Sequence, residues 1–458
     1  MRGLAVMTAV VAGVIYTLSP LTVWCLLALA VLARWAARDI AGRERRWLLA
    51  VFGAALGLRL LAIGLLPFLV DPWREPYTSY FGDGVYAIQR SVWIRNIALG
   101  IPVGSRDFIE AFEPQFGWSG YNYVLAFLHM VCGRSPYGVA CFSTVLFLAA
   151  ALILHRCCRR AFGPLAAFAG LAIVLFMPSL FAWSVAPLKE GLQFLLLATI
   201  VAALAALAPR RWMTNAGAAL AVLAALIASG TLRSGGTAIA LTGIGAATVL
   251  WLSARRTATL AAVIVGLALA IPLAASSRRV DAAVAVTIRD AAIRHLGHAR
   301  SPGAFYRLLD DKLYAGATTD PEVGPPFDLD FGAELRFLIR AVQMFFAQPL
   351  PWAPESFKWL ALLPQQVLWY LTLPLALVGV IRGFWREPRL TSLLAGMIVA
   401  GIVVVAPNSG NVGTLIRHRD MIVPFVLALA GFGAVTLAAR VVTPLAAVRT
   451  EKVVGSWH

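Results

Sequence analysis

Charge is what this sequence has least of. Only 13% of its 458 residues are Asp, Glu, Lys or Arg. A soluble domain needs far more polar surface than that. Acidic residues are the scarcer sign, 22 against 39 Lys and Arg, for a net charge of +17. In a soluble protein the excess would suggest nucleic acid. No nucleic-acid-binding module is present, and membrane proteins keep Arg and Lys on the cytoplasmic side. Only part of the excess is then left for anionic ligands outside. Cysteine is also sparse. Cys25, Cys132, Cys141, Cys157 and Cys158 show no CxxC or other metal-site spacing. Cys157 and Cys158 stand beside arginines, so no disulfide framework is implied. No DxD or other tight carboxylate cluster appears, so no metal ligands and no cofactor are assigned. A divalent metal is neither required nor excluded. The first residues lack a signal-peptide cleavage pattern, and the opening apolar run is expected to stay as an anchor.

Apolar sequence fills the chain instead, at 60% hydrophobic residues and a mean hydropathy of +0.79. Runs near twenty residues recur, each long enough to cross a bilayer as a helix. They read as about eleven spans, near 4–33, 48–70, 136–155, 162–183, 187–208, 214–230, 236–252, 257–275, 359–381, 390–406 and 420–439. The first is long and broken by Pro20, so a tight hairpin is the alternative. Arginines cluster at every second connection: Arg34 to Arg46, Arg156 to Arg160, Arg210 and Arg211, Arg255 and Arg256, and Arg382 to Arg389. Their alternation follows the positive-inside rule and sets the C-terminus in the cytoplasm. Two long hydrophilic segments, 71–135 and 276–358, then fall outside.

Each loop holds an expected interfacial helix. Gly120 to Gly133 is too short to span comfortably. The stretch around Arg336 and Arg340 is apolar on its flanks and stops at the prolines of QPLPW. The domain plan is a module over 1–275 with its loop 71–135, the second loop 276–358, and closing spans and tail over 359–458.

Few residues in this plan are suited to chemistry. Asp83, in YFGDGVYAIQR, is an acid between two glycines just past the second span. It can serve as a general base at the outer mouth of a bundle, with the glycines admitting a bulky substrate. It can equally be a surface Asp in a glycine-bearing turn. Glu110 and Glu113 share one face if their stretch is helical, as a second acid, a metal ligand or plain surface charge. Lys189 and Glu190 open a span at its outward end, where lysine runs against the topological bias. The lysine amine can meet a phosphate, or simply snorkel. Arg417, His418 and Arg419 precede the last span and suit a phosphate or lipid headgroups. Arg59 lies mid-span, where burial is costly unless it is paired.

The chain resembles the polytopic glycosyltransferases of the GT-C fold, nearest the protein-mannosyltransferase-like and lipopolysaccharide-sugar-transferase-like members. The likeness rests on FGDGVYAIQR, on the segment from GYNYVLAFLHMVCG through RCCRRAFG, on FMPSLFAWSVAPLKEGLQFLLL and on RHRDMIVPFVLALAGFG. It implies a GT-C-like helical bundle and gives Asp83 the role of the family's first extracytoplasmic acid. The single acid, where many members carry a pair, is a departure. The resemblance implies a polyprenyl-phosphate-linked sugar donor and a glycan, lipid or protein acceptor, used on the outer face of a bacterial inner membrane. Lys189, Glu190, Arg336, Arg340, Arg417, His418 and Arg419 are then expected to bind substrate, among membrane lipids and without nucleic acid. An envelope polysaccharide polymerase or ligase is the competing enzyme reading. A transporter or flippase and a non-catalytic scaffold rank below it.

Overall fold

The computed structural model describes residues 19–69, 79, 81–112, 119–209, 211–233, 235–255, 278–299, 305–315, 330–350 and 362–454, with Gly3, Met7 and Val11 as isolated positions. Among these residues the only β-pairing is an isolated bridge between Phe305 and Asn411. The rest are helices and connections. The chain forms two compact units, residues 1–237 with 441–458, and residues 238–440.

The first unit holds α1 (Pro20–Ala36), α2 (Gly42–Leu69), α3 (Gly82–Ala98), α4 (Ser105–Phe112), α5 (Gly120–Cys132), α6 (Pro136–Phe162), α7 (Pro164–Phe176), α8 (Pro178–Ser184), α9 (Glu190–Ala206) and α10 (Trp212–Leu232). Its centre is α6, 27 residues or about 40 Å of helix. Ser135 caps its start by accepting from the Gly138 amide, and Gly163, at φ 94°, ends it. Helices α1, α7 and α9 pack around it. At its C-terminal end Arg159 donates to Glu44 at 2.5 Å, while Arg156 donates to the Trp35 carbonyl. Two of the arginine clusters thus meet at one end of the unit. The loops that carry Asp83 and Lys189 lie toward the other end of α6.

Helices α7 and α8 bend by 64° where they join. Pro178 has no N–H for the helical ladder, and it pushes the preceding Met177 to extended angles, φ −61° and ψ 121°. The short α8 then runs into a turn at 185–189, from which α9 starts.

The second unit holds most of α11 (Gly236–Arg255), then α12 (Arg278–Ala299), α13 (Asp311–Ala315), α14 (Phe331–Ala347), α15 (Leu363–Arg386), α16 (Pro388–Val405), α17 (Val412–Arg419) and the first part of α18 (Val423–Val454). Glycines set its closest crossing. A Cβ on Gly379 would lie 2.0 Å from the Leu429 carbonyl, and one on Gly433 would lie 1.9 Å from that of Leu375. Backbones of α15 and α18 meet directly there, the small-residue packing common between membrane helices.

The expected bundle of about eleven transmembrane helices is corrected by these elements. Among the described residues seven helices are long and apolar enough to cross a membrane, or eight if the bent α7–α8 pair is one span. The α1 and α9 helices are apolar but only 17 residues each, because Pro20 opens one and the 185–189 turn delays the other. The expected span at 257–275 lies outside the described residues. The chain is an all-α, multi-pass membrane protein.

Candidate functional site

Asp83 is the second residue of α3, exposed in a first turn where the helix dipole favours a carboxylate. The next residue, Gly84, is buried. A Cβ there would lie 2.4 Å from Ser79 Oγ and 3.1 Å from Pro187 Cδ. The Phe81 ring sits 4.4 Å, centroid to centroid, from that of Trp183. The turn that carries Asp83 is therefore docked on α8 and on the turn that presents Lys189 and Glu190. Of the two glycines, Gly84 is fixed by close approach, while Gly82 faces open space.

Arg90 follows two turns along α3, its guanidinium 5.8 Å from the Tyr86 ring centroid. Burial pulls its pKa down, and the charges of Glu110, then Tyr86 and Asp83, oppose that shift. Arg90 thus lies within electrostatic reach of both expected acids, a role the sequence reading did not give it. Glu110 itself pairs with Arg106 at 2.8 Å, an i,i+4 contact on α4. Glu113 lies outside the described residues.

The 185–189 turn is held from below. Arg59 is fully buried and donates from Nε to Ser184 Oγ at 2.7 Å, from Nη1 to the Ala55 carbonyl at 3.0 Å and from Nη2 to the Leu175 carbonyl at 3.0 Å. Its guanidinium also lies 4.9 Å from the Phe147 ring centroid and 5.1 Å from that of Phe181. Thr144 Oγ1 donates to the Ser184 carbonyl at 2.9 Å. The mid-span arginine is satisfied by its own helix, by the Ser184 hydroxyl and by the Leu175 carbonyl beside the α7–α8 break.

Beyond the turn, Lys189 is half-buried and Glu190 buried. Arg233 Nη2 lies 3.8 Å from Glu190 Oε1. Tyr121 shares a hydrogen bond with Ser143 across 3.2 Å. Burial raises its pKa, the Glu190 charge raises it further, and the Ser143 bond acts against both. Ser119 anchors the start of α5 by donating to the Leu232 carbonyl at 2.8 Å. The first turns of α5 and α9, the last turn of α10 and the N-terminal third of α6 converge here.

In the second unit the expected substrate binders lie as follows. Arg419 is fully buried. Its Nη1 donates to the carbonyls of Phe345 and Gln348 at 3.0 and 2.9 Å, and its guanidinium lies 4.4 Å from the Trp369 ring centroid. Trp369 Nε1 donates to the Phe346 carbonyl at 2.9 Å, and Tyr370 to that of Ala347. These donors complete the open carbonyls at the end of α14, where the helix dipole also favours a cation. Burial lowers the Arg419 pKa to about 10, with Asp420 opposing. Arg340 bonds the Leu308 carbonyl and Asp310, both at 3.2 Å, and Arg336 lies 3.9 Å from Asp310. Arg417 and His418 are half-buried on α17, with His418 Nδ1 3.4 Å from Ser409 Oγ.

A histidine and tyrosine network beside α17 had no forerunner in the sequence reading. His295 is fully buried, with Nδ1 2.8 Å from the Ser409 carbonyl and Nε2 2.7 Å from Tyr314 Oη. The carbonyl can only accept, so Nδ1 carries a proton. Burial lowers its pKa to about 4. Tyr306 donates to the same carbonyl at 2.9 Å, and Gly410 lets the loop touch α12, since a Cβ there would lie 2.0 Å from the His295 carbonyl. The only early signal was an Asn-Ser-Gly-Asn run between two apolar helices.

Among the described residues no group of three or more His, Cys, Asp or Glu is placed to hold a metal ion. No protein-family model, curated protein or solved structure matches the chain.

Proposed function

We propose that the protein is a membrane glycosyltransferase. It moves a sugar from a polyprenyl-phosphate-linked donor to an envelope glycan, lipid or protein, at the extracytoplasmic face of a bacterial inner membrane. One observation carries the reading: Gly84 is docked on Pro187, which sets the turn of Asp83 beside the turn of Lys189 and Glu190. The resemblance to GT-C enzymes supplies the reaction type. In this reading Asp83 accepts the proton of the acceptor hydroxyl as its oxygen attacks the anomeric carbon. The sugar–phosphate bond breaks, and polyprenyl phosphate leaves as an anion. Lys189 stabilises that anion as its charge develops. The Glu190–Arg233 pair holds the start of α9 beneath it.

The polymerase or ligase alternative leaned on Arg336, Arg340 and Arg417. The first two are engaged with Asp310 and Arg417 is half-buried on α17, so no observation favours it. Incubating purified protein with labelled polyprenyl-phosphate sugars and a panel of envelope acceptors tests the reading. It requires label to move to one of them. Donor left intact across the panel, by folded protein that binds it, would contradict the reading.

A further inference from the structure

Gln193 lies one turn beyond Glu190 on the same face of α9, and only 2% of it is exposed. Neither its Oε1 nor its Nε2 has a hydrogen-bond partner among the described residues. Ser229 on α10 is fully buried, and its Oγ is likewise unpartnered. Gln193 and Ser229 are neighbours. A Cβ on Gly236 would lie 2.1 Å from the Ser229 carbonyl and 3.5 Å from Gln193 Oε1. Buried polar groups are almost always hydrogen-bonded, and leaving several open in one place is costly.

We infer that Gln193 and Ser229 form a recognition site for a neutral, hydroxylated ring, the sugar of the lipid-linked substrate. This rests on the glycosyltransferase reading and adds the residues that read the sugar. The chemistry selects the ligand class. The amide and hydroxyl offer both donors and acceptors and carry no charge. The nearest charges, Glu190 and Arg233, already face each other. A phosphate would find no spare cation beside Gln193, and a metal ion would meet Arg233. Sugar hydroxyls, each donor and acceptor at once, match the set. The phosphate would stay above, at the turn with Lys189.

Binding, without turnover, tests the inference on the detergent-purified full chain. The probes are a polyprenyl phosphate hexose and the same polyprenyl phosphate without sugar. The parent is expected to prefer the sugar-bearing lipid. Gln193→Leu and Ser229→Ala should each cut that preference by roughly 3- to 10-fold, the scale of one lost neutral hydrogen bond, and leave the bare lipid unaffected. Should Gln193→Leu fail to fold, Ser229→Ala, which removes one oxygen, decides. A parent without preference, or variants that keep it, would overturn the inference and leave the groups to ordered water. The outcome is separable from the catalytic reading. Asp83→Asn should keep the preference while losing transfer. A Gln193-dependent preference with no transfer by the parent would sink the enzyme reading alone.

Discussion

Arg59 donates from Nη2 to the carbonyl of Leu175 at 3.0 Å, one residue before the last of α7. That carbonyl belongs to the turn opened by the break at Pro178. A charged side chain deep in a span is thereby turned into a cap for broken backbone. Arg59→Leu removes three donors, and leaves Leu175 and Ser184 without them. We expect a loss of about 3 kcal/mol, with Arg59→Lys intermediate because an ammonium cannot reach all three acceptors. Thermal unfolding in detergent measures this. A leucine variant melting with the parent would show the bonds to be dispensable.

The glycine contact between α15 and α18 yields a matched pair. Gly433→Ala would set a methyl 1.9 Å from the Leu375 carbonyl, whereas Gly245 on α11 has no neighbour within 4 Å of its would-be Cβ. The first change should cost on the order of 2 kcal/mol or more through forced separation of the helices, and the second should cost nothing or stabilise slightly. Equal melting temperatures would mean that the two helices do not meet as described.

The second unit should weaken in mild acid. Burial holds His295 neutral down to about pH 4, against an ordinary value of 6.5, with His298 adding to the shift and the Ser409 carbonyl opposing it. Unfolded chains therefore take the proton first as pH falls. The stabilisation is complete above 6.5 and drains away toward 4, by about 3 kcal/mol in all. His295→Gln should flatten this part of the stability profile. A parent whose melting temperature is constant from pH 7 to pH 4 would refute the assignment.

Lys189 and Arg336 should part company in donor binding. Lys189→Ala is expected to weaken a non-transferable polyprenyl-phosphate sugar analogue by roughly 10-fold, as one charge-assisted contact is lost. Arg336→Ala should leave it unchanged, since that residue faces Asp310. Titration of both variants decides, and the reverse order would move the phosphate to the second unit.

Much of the frame was legible in the sequence because lipid imposes few solutions. The arginines near 38–46 and 156–160 predicted a shared side, and Arg159 indeed bonds Glu44. Arg59 stood out as a charge that needed partners. Its partners were hidden, because backbone carbonyls become acceptors only where a distant helix breaks. Hydropathy also overcounted the spans, since it registers apolar length but not where a helix starts. The turn before Glu190 shortens α9 without changing its composition. The protein partners of Arg336, Arg340 and Arg419, Asp310 and the end of α14, lie tens of residues away and could not be read from the sequence. Gln193 passed unremarked as one polar residue in an apolar run, and only the packing of α9 on α10 gives it meaning.

The central claim is that Asp83 takes the acceptor's proton. Asp83→Asn keeps the size and much of the hydrogen bonding but removes the base, at an exposed position whose loss should not disturb folding. Single-turnover transfer from a labelled polyprenyl-phosphate sugar, by parent and variant at matched donor occupancy, is the most direct measurement. The account predicts a rate lower by roughly 10²–10⁴-fold with donor affinity unchanged. Transfer by the variant at the parent's rate would contradict it.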